Sequence, residues 1–323
     1  MRGRLGAHRP FDHLFSGVPV RRALAVLLVF LPLLALLTAG AAVAASAPVY
    51  PHVSDGFGSV PKLDFPSSKA PTAFEEKVLS RGSGPVVKNH DLVVVNYLGQ
   101  IWRGKVFDTN FDSSFKHHEL FDFAVGRGQV IKGWDTGLTG ARVGSRLLLV
   151  IPPADGYGAK GNTGAGITGT DDLVFVVDVV ADYPTTEGGD AHASGLHSTV
   201  HGVQVTGALG GVPKIQIAKT AALPSSLAAF LVAKGDGPKV RAGLVVLQYV
   251  AAAWSGQVLG STWASGDPEG DPVGNPQSPS YYDPLIGLPV GSRVLLEIPK
   301  TSQGGPYAVA IDIIGQPTEP RSK

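Results

Sequence analysis

The chain contains no cysteine and one methionine among its 323 residues. The absence of cysteine excludes disulfides, thiol nucleophiles, thiolate metal sites and a lipid-modified cysteine behind a signal sequence. Charge is scarce and balanced. Charged residues make up 16% of the chain and the net charge is +1, so there is no basic footprint for nucleic acid. What is abundant is glycine, 42 residues, and proline, 25, between short β-branched runs. That mixture points to a turn-rich β architecture with linkers.

The first 22 residues are polar and basic and end in Arg21-Arg22. An apolar run from Ala23 to Ala45 follows, with Ala45-Ser46-Ala47 at its end. This fits either a cleaved secretory signal or an uncleaved membrane anchor formed by residues 23–45, since about 20 apolar residues span a bilayer. Both readings place the rest of the chain outside the cytoplasm, secreted or held at the membrane. Residues 1–47 are therefore set apart, and residues 48–71, rich in Pro, Ser and Gly, read as a linker.

Between 72 and 182 the pattern predicts strands at Phe74–Leu79, Leu92–Leu98, Val106–Asp108, Leu120–Ala124, Val143–Ile151 and Leu173–Val180, with a polar loop through Asp112-Ser113-Ser114. Val130, Ile131, Trp134 and Leu138 recur at spacings that place them on one side of a single short helix. Trp134 is there either as core filler or as the floor of an apolar pocket. Residues 183–211 read as a second linker with scattered histidines, His192, His197 and His201. Over 212–316 the first pattern returns. Val60-Pro61-Lys62 recurs as Val212-Pro213-Lys214, Leu92–Tyr97 as Leu244–Tyr249, and Val143–Leu148 as Val290–Leu295. The expected fold is α+β: an antiparallel half-barrel sheet wrapped on one short helix, in two tandem copies.

Tyr97, Phe107-Asp108, Val130-Ile131-Lys132-Gly133-Trp134, Ile151-Pro152-Pro153, Tyr157-Gly158 and Phe175 give residues 72–182 a resemblance to the FKBP-type peptidyl-prolyl cis-trans isomerases. The resemblance implies a proline-binding pocket between helix and sheet, proline-containing polypeptide substrates, and macrolide immunosuppressants as ligands. It calls for no cofactor and no metal. It implies Trp134 as pocket floor, Tyr97, Phe107, Val130 and Phe175 as walls, and Phe121 as a further pocket contact, with Phe123 kept for the core. It implies the Ile131 N–H as the group that holds the ligand carbonyl, the Tyr157 hydroxyl as a substrate bond, Ile167 as a flap contact and Asp108 as a buried carboxylate. Asp108 either polarises the substrate or ties loops together. The flap, Asn162-Thr163-Gly164-Ala165-Gly166, is richer in glycine than in many members, which leaves substrate preference open.

Such residues suit the chemistry. Rotation about a peptide bond faces a barrier of roughly 18–20 kcal/mol set by amide resonance. An X–Pro bond has two isomers of similar energy that still exchange in tens to hundreds of seconds. A catalyst needs no nucleophile; it needs a water-poor pocket that favours the twisted bond and groups that fix the flanking chain. Against this template the second copy keeps Tyr249 but has Leu259-Gly260 for Phe107-Asp108 and Val309 for Phe175. The V-I-x-G-W stretch has no visible counterpart, Tyr281–Gly287 lying there instead, and Asp267, Glu269 and Asp271 read as a solvated acidic loop. The expectation is a degenerate copy. The reading overall is an exported folding catalyst, the alternative being a non-catalytic chaperone or scaffold that holds client chains through both copies.

Overall fold

A computed structural model describes residues 50–111, 119–302 and 304–318. The apolar run 23–45 and the loop residues 112–114 lie outside these. Among the described residues no helix is long and apolar enough to cross a membrane.

In the first half, β1 (His52–Ser54) and β2 (Lys62–Asp64) form a hairpin ahead of β3 (Glu75–Ser80), β4 (Leu92–Ile101), β5 (Val106–Thr109), β6 (Phe121–Ala124), α1 (Lys132–Leu138), β7 (Arg146–Ile151) and β8 (Leu173–Tyr183). The sheet order is β3-β7-β8-β4-β5, all antiparallel. β6 pairs with the beginning of β4 and β5 with its end, so β4 serves two short partners along one edge. That split bends the sheet into a half-barrel.

Alternation decides which face is which. Val93, Val95 and Tyr97 of β4 point to the helix side with Leu147, Leu149, Phe175 and Val177. Seven residues are too few for a helix to persist alone, so α1 depends on its packing. Gly133 and Gly137 make that packing close. A Cβ at Gly133 would stand 2.6 Å from Ile151, and one at Gly137 would stand 2.7 Å from Leu149.

The opposite face of the sheet is apolar as well, and here the linker reading of residues 48–71 needs correction. Tyr50, Val53, Leu63 and Phe65 of the hairpin region cover Leu148, Val174 and Val176. The hairpin is clipped by a buried pair: Arg146 donates to Asp178 at 2.6 and 2.8 Å, and also to the carbonyls of Asp55 (3.0 Å) and Ser59 (2.6 Å). Gly58 N donates to Asp178 Oδ2 at 2.7 Å. Strands of three residues leave almost no periodic signal, so composition alone suggested a linker.

The second half repeats this frame. Its strands are β9 (Ser194–Gly195), β10 (Thr199–Val200), β11 (Val203–Thr206), β12 (Lys214–Ile217), β13 (Ala228–Lys234), β14 (Gly243–Ala253), β15 (Val258–Ser261), β16 (Glu269–Val273), β17 (Arg293–Ile298) and β18 (Tyr307–Gly315), with a one-turn helix α2 (Thr262–Ser265) before β16. The order β15-β14-β18-β17-β13 matches the first sheet strand for strand, and β16 pairs with β14 as β6 pairs with β4. β10, β11 and β12 form a small sheet that covers Leu295, Ala308 and Ala310. Residues 183–211, read as linker, therefore also contribute strands. Arg293 pairs with Asp312 at 2.6 Å and donates to the carbonyls of Gly207, Ala208 and Gly211, the same clip again. His201 of this region lies 3.1 Å from Glu297.

Candidate active site

The inner end of β4 delivers Tyr97, which is 7% exposed, to the space between sheet and α1. Its hydroxyl donates to Asp108 Oδ2 at 2.7 Å. Burial first, and then the Asp108 charge, push the Tyr97 phenol well above its ordinary value, so it stays a donor. Asp108 reaches this position because β5 pairs with β4 at Gly99, and Gly99 has to be glycine. A Cβ there would lie 2.7 Å from Phe107 and 2.8 Å from Phe175. The absence of a side chain on β4 is what lets those two rings meet edge to face, 5.5 Å apart.

Trp134 enters from α1 and completes the box. Its ring lies 5.2 Å from Tyr97 and 5.2 Å from Phe175, both edge to face. Phe123 stands 5.6 Å and Phe121 6.0 Å from it. Such arrangements suit the quadrupoles of the rings. Phe123 is 4% exposed and belongs to the core, whereas Phe121 is 38% exposed and forms the rim. The Trp134 Nε1 is buried without a hydrogen-bond partner among the described residues.

Val130 and Ile131 are half-buried against the same cluster. Ile131 is extended, with φ −63° and ψ 147°, and its carbonyl starts α1 by accepting from Trp134 N at 2.9 Å. Among the described residues no acceptor takes the Ile131 N–H. The turn before it is rigid: Asp135 accepts from Gly126 N at 2.7 Å and Gly128 N at 3.0 Å, and Gln129 accepts from Ala124 N at 2.9 Å. Gly126 and Gly128 have φ of 76° and 68°, a region that suits glycine.

The loop after β7 supplies the far side. Two 3-10 turns flank Tyr157, whose ring is 37% exposed. Burial raises the Tyr157 phenol above its ordinary value, while a bond from Asn162 pulls the other way. Ile167 is 2% exposed and exchanges two backbone bonds of 2.9 Å with Asn162, which closes the glycine-rich flap into a small loop. Lys132 bonds Asp155 at 2.6 Å and ties the start of α1 to this loop. The structure thus brings together all ten residues read from the sequence. Gly99, Asn162 and Asp135 were not among them.

The comparisons with known proteins agree. The family model described as "FKBP-type peptidyl-prolyl cis-trans isomerase" matches residues 84–180. The FK506-binding protein of Streptomyces anulatus is 38% identical over 123 residues, which is 38% of this chain and 95% of that protein. The chain belongs to the FKBP-type peptidyl-prolyl isomerase family. Another member, the FK506-binding protein 4 of Aspergillus oryzae, is 40% identical over 99 residues, 31% of this chain and 20% of that protein. The crystal structure of FkpA from Escherichia coli aligns at 35% identity and a TM-score of 0.31, covering 35% of this chain and 49% of that one.

The second half lines up with the FKBP box position by position. Strand registers place Gly260 where the first half has Asp108, Leu259 for Phe107 and Val309 for Phe175. They also place Glu269 for Phe121 and Asp271 for Phe123. The solvated acidic loop is thereby corrected: β16 is a strand, and Asp271 is 3% exposed. Tyr249 bonds Glu269 where Tyr97 bonds Asp108, and Ser280 donates to Asp271 at 2.6 Å. Burial pushes the carboxyls of both Glu269 and Asp271 up to about 7.

The Trp134 stretch has a counterpart after all. Asp283 accepts from Gly274 N at 2.7 Å and Ser280 N at 3.1 Å, as Asp135 does from its two glycines. The preceding Tyr282 then stands at the Trp134 position, fully buried beside Tyr249 at 6.5 Å. Both halves bury a large aromatic group there. What sets Trp134 apart from Tyr282 is therefore its neighbours, Phe121, Phe123 and Phe175.

Proposed function

We propose that residues 72–182 form a peptidyl-prolyl cis-trans isomerase domain acting on X–Pro bonds of polypeptides. One observation carries the reading: an aromatic box floored by Trp134, with the Tyr97–Asp108 bond at 2.7 Å on one side and an untaken Ile131 N–H on the other. The box excludes water from the proline ring and so favours the twisted bond, in which amide resonance is lost. Ile131 N–H and the Tyr157 hydroxyl bind carbonyls flanking the proline and hold the chain in one orientation. Asp108 fixes the Tyr97 ring that forms the wall. By kinship with proteins named for binding FK506, macrolides of that class are ligands of the same pocket.

The test is isomerisation of an X–Pro peptide by the full chain, with and without FK506. Turnover that the macrolide suppresses is expected. A chain that leaves the uncatalysed exchange rate unchanged would sink the proposal.

Residues 212–316 are proposed as a second, non-catalytic copy. Glu269 and Asp271 in place of two phenylalanines, and Gly260 in place of the aspartate, favour this. It serves as a holding or spacing domain. We further propose that the chain acts outside the cytoplasm, secreted or anchored by residues 23–45, on the strength of that apolar run behind a basic segment. Fractionation of cells making the chain tests this, and recovery in the cytosol would refute it.

A further inference from the structure

Two elements of the first domain's pocket touch the second domain, each through a residue that points away from the pocket. The first is the turn that leads into Val130 and Ile131. Arg127 sits between the two glycines that Asp135 clamps. Its guanidinium reaches Asp267 Oδ1 at 3.1 Å and donates to the carbonyls of Ser265 (3.2 Å) and Gly266 (3.3 Å), at the end of α2. A cation at a helix C-terminus meets carbonyls that have no partner within the helix. The second element is β6. Phe121 and Phe123 face the Trp134 ring, and Asp122 between them faces outward onto β16, accepting from Gly270 N. Any side chain at position 270 would collide with the Asp122 carboxylate. Leu92, Val246, Ile314 and Tyr183 close the contact with apolar surface.

We propose that the second domain braces the first domain's proline pocket, with Arg127 and Asp122 as its positioning residues. The proposal rests on the isomerase reading above and adds a purpose for a copy that lacks its own site. Ile131 lies four residues beyond Arg127, on a turn whose Gly126 and Gly128 amides are tied to Asp135 and whose Arg127 side chain is held by the second domain. A shift of that turn moves the Ile131 N–H. Phe121, on the rim, moves with Asp122. A pocket held within a fraction of an ångström is what orientation catalysis needs.

The test uses the full chain carrying Asp267→Ala or Gly270→Val, both changes being in the second domain and outside the pocket. Two quantities are read: amide hydrogen exchange at Gly126 and Gly128, and kcat/KM for an X–Pro peptide. Exchange about tenfold faster and kcat/KM about three- to tenfold lower are expected in both variants, the scale at which small misplacements act. Arg127→Ala combined with Asp267→Ala is expected to lose no more than either alone, and Arg127→Lys to recover part of the loss. Wild-type exchange in both variants overturns the proposal, whatever happens to turnover. Faster exchange with unchanged kcat/KM overturns it too. If the parent chain shows no turnover while exchange still responds, the isomerase reading fails and the brace stands.

Discussion

The two halves share a frame down to single hydrogen bonds and differ almost wholly in what fills it. Arg146–Asp178 and Arg293–Asp312 occupy the same register, each buried and each clipping a covering segment to the back of its sheet. Ser145 and Ser292 accept from Gly82 N and Gly235 N in the same way. Inside, one half carries an aromatic box and the other two carboxyls, a leucine, a valine and two tyrosines. Frame and filling are thus separable: the half-barrel persists with a polar interior, so the aromatic set is a property of the site and not a demand of the sheet. The exceptions are the Tyr97 and Trp134 positions, which the second half fills with the rings of Tyr249 and Tyr282.

Four changes would break or sharpen this contrast. The shared clip should give the largest effect. Arg146→Ala strands a fully buried Asp178, and a loss of about 3–5 kcal/mol in urea unfolding is expected, with Arg293→Ala doing the same to the other half. Equal stability in either variant would mean that the clip is not part of the frame. Next, Trp134→Ala should lower X–Pro isomerisation about a hundredfold. Its counterpart Tyr282→Ala should leave turnover within about threefold while costing about 3–5 kcal/mol, as removal of a buried ring does. A matching loss of turnover in Tyr282→Ala would make the second copy a partner in the chemistry.

Smaller is Tyr157→Phe, which removes one bond to the flanking chain and should reduce kcat/KM about tenfold with stability unchanged. The smallest is a pH effect. Glu269 and Asp271 have folded values raised to about 7 from ordinary values of 4.5 and 3.8. The folded state therefore holds more protons than the unfolded one between about pH 4 and 7. Their contribution is fully present below pH 4, declines as pH rises through that window, and changes no further above 7. Glu269→Gln with Asp271→Asn should flatten the dependence of Tm on pH there, read by calorimetry. An unchanged slope would place it elsewhere, Asp122 and Asp182 being the other carboxyls raised to about 6 and about 7.

The pocket was legible in the sequence because its members keep their identity and order along short strands that alternate cleanly. The frame of the second half was legible for the same reason, through Leu244–Tyr249 and Val290–Leu295. The second filling was not. Glu269 and Asp271 look like loop residues because two carboxylates in five positions seldom mark a buried strand, and only pairing with β14 shows that they face inward. Tyr282 was missed because its link to Trp134 runs through a backbone-binding aspartate, Asp283, whose role no spacing rule exposes. The covering strands escaped notice because the interaction that holds them is an arginine deep in another strand, more than eighty residues away along the chain.

The contact between Asp122 and Gly270 has one more consequence. These two residues hold the same place in their respective copies, so the halves meet at a point where the repeat touches itself. Had both copies kept an aspartate there, two carboxylates would occupy one space. The contact therefore depends on the copies being unlike at this position. The side chain missing from the second copy is the space that receives the first copy's carboxylate.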